Sequence, residues 1–154
     1  MQLELTEGEV RDFRRLAGII LPASSEYDTP GAADPAIFDD ILRSLGQDLD
    51  AVRRALASLA ARAGGAFAGL DDAAAEVMGL GFMETGGADA MTLGRSVLQC
   101  YYRDDRVMRA LGLTPRPPYP LGHTLEDGDF GLLDAVRGRP RMWRDVDRAE
   151  AQRR

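Results

Sequence analysis

The chain has 154 residues with 25 acidic and 19 basic side chains, giving a formal net charge of −6. That balance argues against a nucleic-acid-binding surface and against a polybasic membrane contact; lysine is absent, so the basic side chains are arginines. One cysteine and one histidine exclude an internal disulfide and a Cys/His zinc site, and no apolar run approaches the roughly 18 residues of a membrane span.

A chain of this length buries roughly two-thirds of the surface that its unfolded form exposes. The first predicted helix opens at Thr6, which has capping-box spacing to Glu9. Val10, Phe13, Leu16, Ala17 and Ile20 form one apolar stripe, and Pro22 stops the helix. The pair Arg14-Arg15 lies within it. Acidic residues precede the pair (Glu4, Glu7, Glu9, Asp12), and the apolar stretch LAGIIL after it ends at Pro22. A secretory signal needs a positive start and about 7–15 apolar residues. The pair therefore reads as exposed arginines on an amphipathic helix, and the chain as given carries no export signal.

ASSEYDTPGAAD is a loop rich in turn formers. Asp34-Pro35 then reads as an N-cap with proline at the first helical position, opening a helix with Ile37, Ile41, Leu42 and Leu45 inward. Gly46 ends it. A third helix starts near Gln47 with Leu49, Val52, Leu56 and Leu59 on one face and Arg53 and Arg54 on the other side; Gly64-Gly65 closes it. LDDAAAEVMGLGF predicts a shorter helix starting at Asp71-Asp72, whose carboxylates suit a helix N-terminus, and METGGAD predicts a loop.

A long helical segment then begins near Asp89, carries Leu93, Val97, Tyr101, Met108 and Leu111, and restarts at Asp104. After Gly112 the stretch LTPRPPYPLG is extended, because each proline lacks a donor and biases its predecessor away from helix. Thr124 caps a final short helix with Phe130, Leu133 and Val136 inward, and Trp143 sits in a charged tail. No run of alternating β-branched residues occurs. The prediction is all-α: a single helical domain over residues 1–154, with about five or six helices, a Pro-rich strap at about 114–123 and a frayed tail at about 146–154.

The search for chemistry gives a consistent result. A dinucleotide fingerprint, a P-loop and a nucleophile elbow are missing, and the GLGF fragment at Gly79 follows a helix rather than a strand. His123 is the only side chain that titrates near neutral pH unaided, yet no nucleophile has an evident spacing to it. Cys100 beside Tyr101 reads as a small buried hydrophobe. Asp39-Asp40, Asp71-Asp72 and Asp104-Asp105 fall near helix starts or on polar faces, where carboxylates are ordinary. No catalytic, cofactor-binding or metal residue is assigned.

The conspicuous segment is CYYRDDRVMRALGLTPRPPYPLGH, Cys100 to His123, with its sequel. Tyr, Trp and Arg are the residue types enriched at interface hot spots, and an extended proline segment docks at little entropic cost. The residues expected to bind a partner are Tyr101, Tyr102, Arg103, Arg106, Pro117, Pro118, Tyr119, Pro120, His123, Trp143 and Arg144. The same segment would equally serve to wrap the chain's own helices.

An early helix ending in ILP, a loop, and DTPGAADP leading into a helix resemble the start of the gluconate 2-dehydrogenase subunit 3 family. So does the later block YYRDDRVMRALG followed by PPYPLGHTLEDGDFGLLDAVRGRPRMWR. The resemblance runs from about Leu16 to Arg144, and these two blocks are its distinctive parts. It implies a non-catalytic small subunit that binds and stabilises a large flavoprotein of the glucose-methanol-choline oxidoreductase class. That partner would hold FAD and oxidise a sugar or alcohol, while this chain would carry no cofactor of its own. Many members carry a twin-arginine export signal, which is lacking here. The expected location is cytoplasmic for the chain as given, or periplasmic if such a signal was removed. Two other readings stand beside this one: a stand-alone helical binding or regulatory module, and an independent enzyme using His123 with a carboxylate.

Overall fold

The computed structural model describes residues 4–117, 119, 120, 122 and 127–140. Its packing divides the chain into two units, Met1–Arg116 and Pro117–Arg154. The fold is all-α, and among the described residues there is no β-structure beyond a single bridge between Ser24 and Thr29.

In the first unit, α1 spans Glu7–Ile20 and opens on the expected capping box: the Glu9 backbone N–H donates to Thr6 Oγ1, and the Thr6 backbone N–H donates to Glu9 Oε2. Phe13, Leu16 and Ala17 of its stripe are fully buried, and Val10 and Ile20 are partly so. The arginine pair is not merely a solvated face. Arg14 donates to the Ala33 carbonyl at 3.0 Å and lies over the Phe38 ring, while Arg15 donates to the Ala68 carbonyl at 2.7 Å.

Helix α2, Pro35–Ser44, is capped by Asp34, which accepts from the N–H groups of Ala36 and Ile37. Its Phe38 joins the buried set and meets Phe13 edge to face at 5.5 Å between centroids. A 3₁₀ turn at Gly46–Asp48 leads into α3, Leu49–Ala63, which ends where Gly64 takes the left-handed conformation at φ 69°. The turn Phe67–Gly69 follows, with Phe67 wholly buried. Asp12 of α1, itself buried, accepts from the Ala68 N–H at 2.7 Å. Asp12 and Arg15 thus take both backbone polar groups of Ala68, which allows a non-helical segment to sit against the core.

Two boundaries differ from the prediction. Helix α4, Asp72–Thr85, is a full-length helix rather than a shorter one, and α5, Gly87–Tyr101, begins after the single residue Gly86. METGGAD is therefore a corner, not a loop. Its two glycines read as breakers, but Gly86 keeps helical dihedrals (φ −77°, ψ −1°) and donates to the Phe82 carbonyl. The GLGF fragment lies inside α4, where Gly79 lets the helix approach α1: an added Cβ would sit 3.2 Å from Leu16 Cδ1. Helix α3 packs on α5, α5 on α2, and α1 on both α3 and α4. Each fully buried Leu, Ile or Phe along these contacts contributes about 1.5–3 kcal/mol over leaving it exposed.

Asp104 caps the short α6, Asp105–Ala110, as the predicted restart requires. The residue that α6 buries is Val107; Met108 is half-buried and Leu111 exposed. In the second unit, a 3₁₀ turn at Phe130–Leu133 precedes the four-residue α7, Asp134–Arg137. Asp129 caps the 3₁₀ turn, accepting from the Gly131 N–H, and α7 has no side-chain cap of its own; Thr124 lies outside the described residues. Phe130, Leu133 and Val136 are exposed, contrary to the inward placement expected for them. A single helical turn is too short to gather three such side chains onto one covered face.

Candidate functional site

The corner between α5 and α6 holds most of the described residues expected to bind a partner, and the structure gives them different tasks. Tyr101 is 5 % exposed and belongs to the core, whereas Tyr102 is 51 % exposed. Their rings stand edge to face at 5.2 Å and 89°, so the buried tyrosine orients the exposed one. Arg103 donates to Asp40 Oδ2 at 2.7 Å and to the Ser44 hydroxyl, tying the corner to α2. Arg106 donates to both Asp34 and Asp104. Those hydrogen bonds hold the carboxyls of Asp34 and Asp104 below the usual carboxylate range, and they raise the pKa of the Arg106 guanidinium. Both arginines are internal ties first.

Beside Tyr102 runs an apolar groove of about 200 Å³, whose walls include Leu21, Pro22, Tyr27, Tyr102 and Leu111, with Val107 beneath. Its far wall is the chain between α1 and α2. Ser24 and Thr29 exchange two backbone hydrogen bonds of 3.0 Å there, and Tyr27 donates its N–H to Ser24 Oγ, a tight turn that sets Tyr27 at the rim. Asp28, at φ 49°, closes the turn. The loop composition of ASSEYDTPGAAD showed in the sequence, but that it would face Tyr102 did not.

Pro117, Tyr119 and Pro120 are exposed, Tyr119 at 85 %. Pro118, His123, Trp143 and Arg144 lie outside the described residues.

A second apolar surface was missed in the sequence. On the outer face of α4, Ala73, Val77 and Leu80 follow one another at helical spacing; Val77 is 76 % exposed and Leu80 47 %. Met91 of α5 is also open, at 71 %. The three charged residues of α4 are Asp72, Glu76 and Glu84, all acidic. The opposite face buries Ala75, Gly79 and Phe82. A helix apolar on both faces belongs between two layers of protein, and that pattern was the available signal.

No family model matches the chain, and no curated protein or solved structure matches it either.

Groups with chemical potential lie apart from these surfaces. Cys100 is buried, and burial pushes its thiol up, with the Ser44 hydrogen bond opposing in part. A cleft of about 530 Å³ between α1, α2 and α3 is lined by leucines and Val10, with Glu4 and Arg43 as its charged residues. Among the described residues no group of three or more His, Cys, Asp or Glu could hold a metal ion, and no helix is long and apolar enough to cross a membrane. Several carboxylates serve caps or ion pairs: Asp34 and Asp104 cap α2 and α6 and bind Arg106, Asp40 pairs with Arg103, and Asp89 pairs with Arg54.

Proposed function

We propose that this chain is the non-catalytic small subunit of an FAD-dependent sugar or alcohol dehydrogenase. It would bind a large flavoprotein of the glucose-methanol-choline class and assist its folding or assembly. The observation that carries the reading is the outer face of α4. Its Ala73, Val77 and Leu80 form an apolar stripe on a helix whose charged residues are all acidic. Exposed apolar surface of this kind is costly in a lone protein and ordinary at the centre of an interface. The acidic border selects a partner whose contact surface is apolar and edged with Arg or Lys. The likeness of the blocks ILP…DTPGAADP and YYRDDRVMRALG to the subunit 3 family supplies the class of that partner. The flavoprotein would hold the FAD and perform the oxidation; this chain would contribute surface.

The test is a tagged purification from the native host, read by gel and by visible absorbance. A stoichiometric larger band with oxidised-flavin absorbance is the expected result. A colourless single species would overturn the proposal.

A further inference from the structure

In the second unit, the turn Phe130–Leu133 and α7 carry four large apolar side chains between positions 130 and 136, and all four are exposed: Phe130 at 68 %, Leu132 at 77 %, Leu133 and Val136. Phe130 and Leu133, three apart, share a side of the 3₁₀ turn, while Leu132 lies on another. Residues 127–140 are all exposed, so they build no core among themselves. A helical element apolar on more than one side belongs in buried surroundings. The backbone is prepared for that. The Asp129 side chain accepts from the Gly131 N–H at 3.0 Å and its carbonyl from the Leu132 N–H at 3.3 Å. Gly138 donates to the Asp134 carbonyl at 3.0 Å and Arg139 to that of Val136 at 3.1 Å. Polar groups already paired leave water at little cost, and a turn already formed loses little freedom on docking. Charge is polarised along the segment: Asp127 and Asp129 precede the turn, Arg137 and Arg139 follow it, and Asp134 is paired with Arg137 at 2.9 Å.

We infer that this turn is a second anchor for the flavoprotein, inserted into an apolar hollow on the large subunit. The hollow is basic at the end that receives Asp127 and Asp129 and acidic at the end that receives Arg137 and Arg139. The inference rests on the reading of the chain as a small subunit and deepens it, because α4 supplies no part of this contact. A hollow is required because a flat surface would cover only one side of the turn; short helical elements dock by their apolar side chains in this way. Opposite charges at the two ends fix the direction of insertion. A lipid surface suits the segment less well, because anionic headgroups repel the two leading carboxylates and an interfacial helix buries a single face. The α4 stripe and this turn belong to different units, and two contacts carried by one chain raise each other's effective concentration.

The experiment repeats the tagged purification of the full chain with Phe130→Ala, Leu132→Glu and Asp127→Arg, reading flavin absorbance per mole of tagged chain, with thermal melts of each variant alone. Phe130→Ala and Leu132→Glu should each recover about tenfold less flavoprotein than wild type, as loss of an interface anchor does. Asp127→Arg should also recover less, since it places a cation against the basic end of the hollow. The melts should match wild type, because all three positions are exposed. If wild type brings the flavoprotein and Phe130→Ala and Leu132→Glu bring as much, the inference falls while the small-subunit reading stands. If wild type comes down colourless and alone, both fall. Lowered melts for Phe130→Ala and Leu132→Glu would show the turn packed on this chain and would overturn the inference. So would sedimentation of the wild-type chain, but not of Leu132→Glu, with vesicles of phosphatidylcholine and phosphatidylglycerol.

Discussion

Arg106 donates to Asp34 in a bidentate pair, Nη2 to Oδ1 at 2.8 Å and Nη1 to Oδ2 at 3.2 Å. Asp34 is the N-cap of α2, and Asp104, which Arg106 also engages at 3.0 Å, is the N-cap of α6. One guanidinium therefore holds two helix caps that lie 70 residues apart in sequence (104 minus 34). Oδ1 of each carboxylate accepts from the first N–H groups of its helix, and the arginine donates to both oxygens of each carboxylate. This joint fixes where α6 starts, and with it the position of Tyr102 and Leu111 at the groove.

Replacing Arg106 should loosen that joint without unfolding the chain. Arg106→Ala is expected to cost about 1–2 kcal/mol, less than two charged hydrogen bonds would give in isolation, because the arginine is half exposed and solvent screens it. Arg106→Lys should recover little, since an ammonium cannot reproduce the bidentate fork. In urea denaturation, the double variant Arg106→Ala/Asp34→Ala should be less destabilised than the sum of its parts by about 0.5–1 kcal/mol. Strict additivity would mean the two residues do not act together.

The same pairs set an acid dependence. Asp34 and Asp104 are held below the usual carboxylate range chiefly by the Arg106 hydrogen bond, and Asp89 by that of Arg54. Because the folded chain binds these protons more weakly than the unfolded one, their contribution is complete above the unfolded value near pH 4 and is lost as pH falls through the folded values. The urea midpoint should thus be flat from neutrality to about pH 5 and fall below that. Arg106→Ala should have a shallower fall. An equal slope in both proteins would show that other carboxylates carry the acid dependence.

Much of this architecture was legible. The caps Thr6, Asp34 and Asp104, the stop at Pro22 and the stripes of α1 to α3 follow from local rules that tertiary contacts did not overrule. What failed was set by packing. Gly86-Gly87 reads as a loop because two glycines break helices in isolation, yet here they make the one-residue corner that lets α5 fold back on α4. Phe38, Phe67 and Val107 were not assigned to the core, because their neighbours come from distant segments. Tyr101 and Tyr102 are identical letters side by side, and the turn of the helix alone buries one and exposes the other. Which surface is open can be read only once the other faces are covered, so in the sequence the α4 stripe shows only as a helix apolar on both faces.

Gly86 at the corner and Gly81 within α4 give opposite expectations. A Cβ on Gly86 would lie 2.5 Å from Ala90 Cβ and 2.6 Å from the Phe82 carbonyl oxygen, and backbone cannot step aside. Gly86→Ala should cost about 1–3 kcal/mol through overpacking. Gly81, five residues earlier inside α4, has nothing within 4 Å of an added Cβ. Gly81→Ala should stabilise by about 0.5–1 kcal/mol through helix propensity. Thermal melts of the two variants moving in the same direction would contradict this account of the corner.

Cys100 offers a probe of how firmly the core closes. Burial raises its thiol above the ordinary value, so at neutral pH little thiolate is present and access is blocked. Reaction with a disulfide reagent should run about a hundredfold slower than for a free thiol, and reach the free rate once the chain is unfolded. Ser44→Ala removes the hydrogen bond that partly opposes the upward shift and should not speed the reaction. Fast labelling of the native protein would show that α5 and α2 part readily.

The α4 face supplies the last expectation, and it separates stability from assembly. Val77→Arg and Leu80→Arg change exposed positions and should move stability by less than about 0.5 kcal/mol. Leu59→Ala, at a fully buried position on α3, should cost about 2–5 kcal/mol. In the tagged purification the order reverses. Both arginine variants should lose the proposed flavoprotein partner, because they would place cations opposite its expected basic border and charge within an apolar centre. Val77→Glu keeps the sign of Asp72, Glu76 and Glu84 and should retain more partner than Val77→Arg does. Equal retention by the two would mean that the acidic border plays no part in choosing the partner. Full retention by both, with the fold intact, would place the contact on another face.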